Sequence, residues 1–305
     1  MNVTFRQLRL FLALAETGSV SGAARAMHVT QPTVSMQLRE ISEAVGLPLY
    51  EVVARRVHLT QAGLELARTA RRMASEWDVF GQTIDGFKGL TRGRLKVAVV
   101  STAKYFVPRL LGHFCSRHPE VEVALEVLNR DGVVGRLREN LDDLYIMSRP
   151  PVELDLEDQV FLPNPLVLIA STAHPLARKP GLQLQDLRGT RFILREQGSG
   201  TRLATDAHFR KQRYAPELRM ELGSNEAVRE AVAGGLGLAV ISVHALAPRP
   251  LTQGVAVLDV AGFPIASQWH IVYPKGKRLS PIAEVFRQQL LAQAGQLAPQ
   301  GQTSR

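Results

Sequence analysis

The stretch from Ser19 to Gly46 constrains this chain more than any other, because it reads as two short helices held apart by a fixed turn. The first covers about Ser21 to Met27, with Ala23, Ala24 and Met27 on its inner side, and His28-Val29 make the turn. Thr30 follows where its hydroxyl can accept from an orphan amide of the next helix, and Pro32 lies in the first turn, where its missing N–H breaks no helical bond. That second helix carries Val34, Leu38, Ile41 and Val45 at i, i+4, i+7 and i+11, a single inward stripe, and Gly46 closes it. The face left over holds Gln31, Thr33, Ser35, Met36 and Arg39. Short polar hydrogen-bonders at the N-terminal end, with a cation further on, suit a helix that enters the DNA major groove end-first.

What surrounds this pair completes a domain. Thr4 is placed to cap an earlier helix running to about Glu16, which would bury Phe5, Leu8, Phe11, Leu12 and Ala15. After Gly46, two β-prone runs flank Arg55-Arg56, a hairpin wing whose cations can reach phosphate or the minor groove. Residues 1–60 therefore read as a winged helix-turn-helix domain. From Thr60 a long helix runs to about Gly89, the segment 61–90. Leu66, Ala70, Met73, Trp77, Phe80, Ile84 and Phe87 recur at spacings of four and three, a heptad seam that predicts pairing with a second copy. At about 1.5 Å per residue this helix spans roughly 40 Å.

From Arg92 onward the pattern alternates between strands and helices, the sign of an α/β region with parallel sheets covered on both faces. Strands are expected near Leu95–Val100, Val121–Val127, Asp143–Met147, Leu166–Ala170, Arg191–Leu194, Leu218–Leu222, Leu238–Ser242, Val255–Val260 and Trp269–Tyr273. Prolines at 150, 151, 163 and 165 and the loop before Trp269 suggest two lobes: about 91–162 with 268–298, and about 163–267. The apolar-poor tail after Ala298 is expected to be disordered. Two strand-to-helix junctions carry anion chemistry. Ser101-Thr102-Ala103-Lys104 offers hydroxyls, a helix start and an ammonium, and Gly198-Ser199-Gly200-Thr201-Arg202 adds close backbone approach and a guanidinium able to grip an oxyanion. Arg149 closes a strand at the rim expected to face a ligand, and Asn129 and Arg130 are further candidates.

A formal charge of +9 is compatible with a polyanionic partner, although the cations are spread along the chain and the motif, not the charge, carries that reading. No apolar run is long enough to span a membrane, and Arg6, Arg9 and Glu16 break the N-terminal stretch as a signal peptide, so a cytoplasmic location is expected. The single cysteine, Cys115, reads as a buried structural thiol. A rival reading, an enzyme acting on a phosphorylated substrate in the cleft, finds no nucleophile–base pair, no metal-ligand spacing and no Walker-type loop. No metal and no catalytic cofactor are expected. A solute-binding protein is the third reading, disfavoured by the absent export signal.

The run Phe5-Arg6-Gln7-Leu8-Arg9-Leu10-Phe11, with Gly18-Ser19-Val20-Ser21, Ala23-Ala24, Thr30-Gln31-Pro32-Thr33-Val34-Ser35 and Leu59-Thr60-Gln61-Ala62-Gly63, resembles the LysR-type transcriptional regulators. The resemblance implies DNA contacts at Gln31, Pro32, Ser35 and Arg55, a dimerising linker helix, and a two-lobed effector domain like the periplasmic binding proteins. It departs from the family at Ile41-Ser42, where Leu-Glu is common, at Leu49-Tyr50-Glu51-Val52, where Leu-Phe-x-Arg is common, and at the often cationic position of Met36. Ser101 to Phe106, Met147-Ser148-Arg149-Pro150-Pro151 and Pro48-Leu49-Tyr50-Glu51 are similar to the CbbR/RbcR branch, which controls carbon-fixation operons. That similarity implies activation of such genes by a dimer of dimers. The expected partners are double-stranded DNA with an interrupted palindrome, RNA polymerase, and a small anionic effector, a phosphorylated metabolite or NADPH.

Overall fold

The computed structural model describes residues 2–54, 56–87, 92–246 and 250–297, with the side chains of 86, 87, 253 and 295–297 outside that description. The tail expected to be disordered lies outside it too. The chain divides into two compact units that part near Phe87.

The first unit runs α1 (Phe5–Thr17), α2 (Val20–Met27), α3 (Gln31–Val45), a hairpin of β1 (Tyr50–Val53) and β2 (Arg56–Leu59), and α4 (Gln61–Phe87). Each of the first three helices begins on a hydroxyl. Thr4 Oγ1 accepts from the Gln7 N–H at 3.3 Å, Ser19 Oγ from Gly22 at 3.0 Å, and Thr30 Oγ1 from Thr33 at 3.4 Å. Gly46, at φ +77°, ends α3 with its N–H on the Ser42 carbonyl. Val34, Leu38 and Ile41 are fully buried against Leu8, Phe11, Leu14 and Ala23. On α1 the buried set is wider than one stripe: Leu10, Ala13 and Leu14 are buried as well, while Phe5 and Ala15 are only half-buried. The reason is that α1 packs against α2, α3 and α4 at once.

The heptad seam on α4 divides in two. Leu66 and Ala70 lie with Ala67 and Ala74 on the chain's own core, so the expectation that they join an intermolecular seam is corrected. Beyond them Met73, Trp77 and Phe80 are 47%, 61% and 54% exposed, Ile84 is half-buried, and Phe87's side chain is outside the description. Trp77 stacks obliquely between Phe5 and Phe80, with ring centroids 5.8 and 5.6 Å away. The start of α4 abuts the residue before the hairpin so closely that a Cβ on Gly63 would lie 1.9 Å from the Leu49 carbonyl oxygen. Only glycine fits there.

The second unit contains β3 (Gly93–Val100), a 3-10 turn (Ser101–Tyr105), α5 (Val107–Arg117), β4 (Val121–Leu128), α6 (Arg130–Arg138), β5 (Leu144–Met147) and β6 (Leu156–Pro163). It continues with β7 (Leu166–Ser171), β8 (Arg191–Arg195), α7 (Gly200–Lys211), β9 (Glu217–Leu222), α8 (Asn225–Ala233), β10 (Ala239–Ser242), β11 (Val255–Val257), β12 (Gln268–Pro274) and α9 (Pro281–Leu297). Lobe one is a five-stranded sheet in the order β4-β3-β5-β12-β6, and lobe two holds β10-β7-β11 with the pair β8-β9. The expected all-parallel sheets are corrected to mixed ones. β3 runs parallel to β4 and β5, but β12 is antiparallel to β5 and β6, and β7 is antiparallel to β10 and β11. β12 is antiparallel because it enters lobe one on the chain's return from lobe two.

The chain leaves lobe one at Pro163-Asn164 and returns at Ser267, and the two crossings are joined, the Asn164 N–H donating to the Ser267 carbonyl at 2.8 Å. Asn164 is buried, and its Oδ1 accepts from Ser242 Oγ at 2.6 Å. Cys115 on α5 is half-buried, more open than the structural thiol expected of it. Among the described residues no helix is long and apolar enough to cross a membrane.

Candidate functional site

The first unit presents Gln31, Pro32, Ser35, Met36 and Arg39 outward on α3, Met36 at 49% exposure. Thr33 is half-buried, its hydroxyl 2.8 Å from that of Thr30. Among the described residues the side chains of Gln31, Ser35 and Arg39 make no hydrogen bond or ion pair, so all three are free for a partner. The helix beneath them is held rigidly: Gln37 and Gln7 both donate to Glu40 Oε2, at 2.8 and 2.9 Å, tying α3 to α1. In the wing Arg56 is exposed, Ala54 turns the chain at φ +49°, and Arg55 lies outside the described residues. The Val57 N–H bonds the Gly18 carbonyl at 3.0 Å, which fixes the wing to the turn between α1 and α2.

In the second unit the two anion-type junctions do meet, one from each lobe, around a residue the sequence reading passed over. Arg195, at the end of β8, has a side chain only 1% exposed. Its Nη1 donates to Asn225 Oδ1 at 2.7 Å, its Nη2 to Ser101 Oγ at 3.2 Å, and its Nε and Nη2 to Glu196 at 2.7 and 2.9 Å. Asn225 in turn donates through Nδ2 to Thr102 Oγ1 at 3.0 Å. Thus Ser101 and Thr102 of lobe one and Arg195 and Asn225 of lobe two form one buried hydrogen-bonded chain. Lys104 reaches across to Glu226, on α8, at 3.0 Å, and Tyr105 packs against the apolar cluster of lobe two around Val228 and Ile241. Burial pushes the Glu226 carboxyl up, but the hydrogen bond and charge of Lys104, the neighbouring Tyr105 phenol and its own amide outweigh that and hold it at about 2. Burial and the adjacent Glu226 push the Tyr105 phenol well above its usual range.

The glycine loop is seated on lobe one. The Asp131 N–H donates to the Gly198 carbonyl at 3.3 Å, and a Cβ on Gly198, which sits at φ +82°, would lie 2.5 Å from Asp131 Oδ2. Gly200 also packs on Ser148 Oγ, which a Cβ would approach to 3.0 Å. Ser199 and Thr201 are buried, and Ser199 makes no side-chain cap to α7. Its abstention leaves the first amides of α7 without a side-chain acceptor, unlike those of α8, which Ser224 Oγ caps at 3.1 Å.

Two of the expected anion contacts are corrected. Ala103 is fully buried in the core of lobe one, because the 3-10 turn points its methyl inward. Arg202 is already engaged within lobe two: Nε holds Asp206 at 2.9 Å, and Nη1 holds Glu221 at 2.7 Å and the Arg195 carbonyl at 2.8 Å. It braces Arg195 from behind. Arg149 is exposed at the rim, and its carbonyl accepts from Arg130 Nε at 2.7 Å. The residues that were missed, Arg195, Asn225 and Glu226, stand at a strand end and in a helix first turn, the same kind of junction as those that were found. Among the described residues no group of His, Cys, Asp and Glu could hold a metal ion.

A winged helix-turn-helix unit followed by a two-lobed α/β unit with an anion-suited seam between its lobes defines a DNA-reading protein with a ligand-sensing domain. Residues 5–64 match the bacterial regulatory helix-turn-helix proteins of the lysR family, and residues 88–295 match the LysR substrate binding domain. The chain belongs to the LysR family of bacterial regulators. It is 42% identical over 291 residues to the HTH-type transcriptional activator CmpR of Synechocystis sp., covering 95% of this chain and 96% of that protein. It is also 42% identical to the RuBisCO operon transcriptional regulator of Acidithiobacillus ferrooxidans, covering 95% and 94%. Among solved structures it resembles the CcmR regulatory domain of Synechocystis in complex with 2-PG, at 45% identity and a TM-score of 0.66, covering 68% of this chain and all of that one.

Proposed function

We propose that this protein is a ligand-gated activator of carbon-fixation genes. α3 and the wing read an interrupted palindrome, two chains pair along the exposed Met73–Phe80 stretch of α4, and the working assembly is a dimer of dimers that engages RNA polymerase. The relatives named for activation and for RuBisCO operons, at 42% identity over nearly the whole chain, support this reading of its target genes. Nothing catalytic enters it, neither metal nor cofactor, and its place is the cytoplasm.

One observation carries the gate: the buried Arg195 guanidinium binds both lobes at once, through Ser101 on one side and Asn225 on the other. An anion entering that seam beside Ser101, Thr102 and Lys104, the uncapped start of α7 at Gly198–Thr201, and Arg149 would exchange contacts with both lobes. A ligand shifts such a system only by its difference in affinity between two arrangements, and a group that bridges the lobes supplies that difference. The ligand proposed is a small phosphorylated anion; 2-phosphoglycolate, found with the CcmR regulatory domain, is the first to test, with ribulose 1,5-bisphosphate and NADPH next. The test is a DNase footprint on the upstream intergenic DNA. An interrupted palindrome whose protection shortens, or loses a hypersensitive site, with one of these ligands is the expected result. Protection that none of them alters would remove the proposed effectors, and no sequence-specific protection at all would remove the regulator.

A further inference from the structure

The cations of the cleft are held by carboxylates of the chain itself: Lys104 by Glu226, Arg195 by Glu196, Arg202 by Asp206 and Glu221, and Arg130 by Asp131. Of the cleft cations named, Arg149 is the one with no carboxylate partner among the described residues. A cleft neutralised in this way has little net attraction for an anion until one of these pairs opens.

The pairs are not equally able to open. Arg195 is buried and shares its donors with Asn225 and Ser101, so releasing Glu196 would strand buried groups. Arg202 is held by two carboxylates and a carbonyl. Lys104–Glu226 is different: its side chains are 33% and 41% exposed, and the pair joins the lobes across 122 positions of sequence. Glu226 also lies in the first turn of α8, where the helix end favours a carboxylate without any help from Lys104. Lys104 can therefore be taken away and Glu226 left in water at a helix N-terminus.

Resting on the reading of this cleft as the effector site, we infer that Glu226 is a built-in competitor for the effector: an incoming phosphoryl group takes Lys104 from Glu226, and this exchange breaks the outer contact between the lobes. The exchange also sets the ligand class. A monocarboxylate would replace one carboxylate by another and gain nothing, whereas a phosphate monoester brings a charge of about −1.5 to −2 and three acceptor oxygens. Selection then comes from an internal rival as much as from direct attraction.

The experiment is calorimetric titration of the full-length protein with 2-phosphoglycolate and with glycolate, its counterpart without the phosphoryl group, for wild type, E226Q, E226D, K104Q and the E226Q/K104Q double variant. An unchanged urea unfolding transition of the second unit, beside a retained DNA footprint, reports that each variant is folded. Wild type is expected to bind 2-phosphoglycolate at least tenfold more tightly than glycolate. E226Q should tighten that binding by about threefold to fivefold, the scale of a partly exposed ion pair, with E226D changing it in the same direction, and the gain should vanish in the K104Q background. Unchanged or weaker binding by E226Q, or a gain that persists without Lys104, overturns the competitor role while leaving the effector site standing. A wild type that footprints DNA but binds neither probe overturns the effector reading itself, and the competitor with it.

Discussion

The two units carry their proposed contact residues in opposite ways. On α3 the side chains proposed to read DNA, Gln31, Ser35 and Arg39, stand exposed and free, while the bonds that hold the helix, Thr30 to Thr33 and Glu40 to Gln7 and Gln37, use other residues. In the cleft the same side chains that suit an anion also hold the lobes: Arg195, Asn225, Thr102 and Lys104 are already hydrogen-bonded to one another or to carboxylates. A DNA-reading face can be altered without loosening its scaffold. A gating site cannot, because a contact that changes on binding must already be part of the structure.

The largest effect should come from R195M. It strands Asn225, Ser101 and Glu196 at a buried site, and loss of one partner of a buried charge network costs about 3–5 kcal/mol. Urea unfolding should show that loss in the second unit, and the ligand-induced footprint change should disappear while DNA affinity of the folded protein stays within about twofold. Equal loss of DNA affinity would break the separation of the two units. Next is G63A, whose Cβ meets the Leu49 carbonyl; overpacking of that kind costs about 3 kcal/mol, here in the first unit, with 2-phosphoglycolate affinity by calorimetry unchanged.

Q31A and S35A sharpen the contrast from the other side. Each should weaken binding to the specific site by about 1–3 kcal/mol, with melting temperature and non-specific binding held; a fall in thermal stability would mean these residues support the fold instead. The smallest effect is one of pH. The Glu226 carboxyl is held at about 2 in the folded protein against an ordinary 4.5, so its stabilising contribution is complete above pH 4.5 and is lost as pH falls from 4.5 towards 2. The Lys104–Glu226 contact is thus constant around neutrality, and E226Q should shallow only the acid limb of a stability–pH profile measured by circular dichroism.

The same contrast explains what was legible in the sequence. Caps at Thr4 and Thr30, the stop at Gly46 and the stripe Val34–Leu38–Ile41 are local, set by residues within a turn or two of each other, and they appear where the chain's spacing puts them. The cleft is not local: Arg195 meets Ser101 across 94 positions and Asn225 meets Thr102 across 123, so only the junction chemistry at each end could be read. Arg202 misled because a guanidinium beside a glycine loop looks free until Asp206 and Glu221 are found against it. β6 went unseen because Glu157, Asp158, Gln159 and Val160 are all exposed, which leaves no alternation to detect. On α4 the heptad spacing was real, but periodicity cannot say which neighbour a stripe faces; Leu66 and Ala70 face their own domain.

Coupling between occupation of the cleft and DNA reading is measured by the affinity of 2-phosphoglycolate for the full-length protein with and without its operator DNA bound. Coupling is reciprocal, so a ligand that changes DNA binding must itself be bound with a different affinity when DNA is present. A shift of about fivefold or more is expected in wild type, lost in R195M. Identical affinities for free and DNA-bound wild type would contradict the coupling.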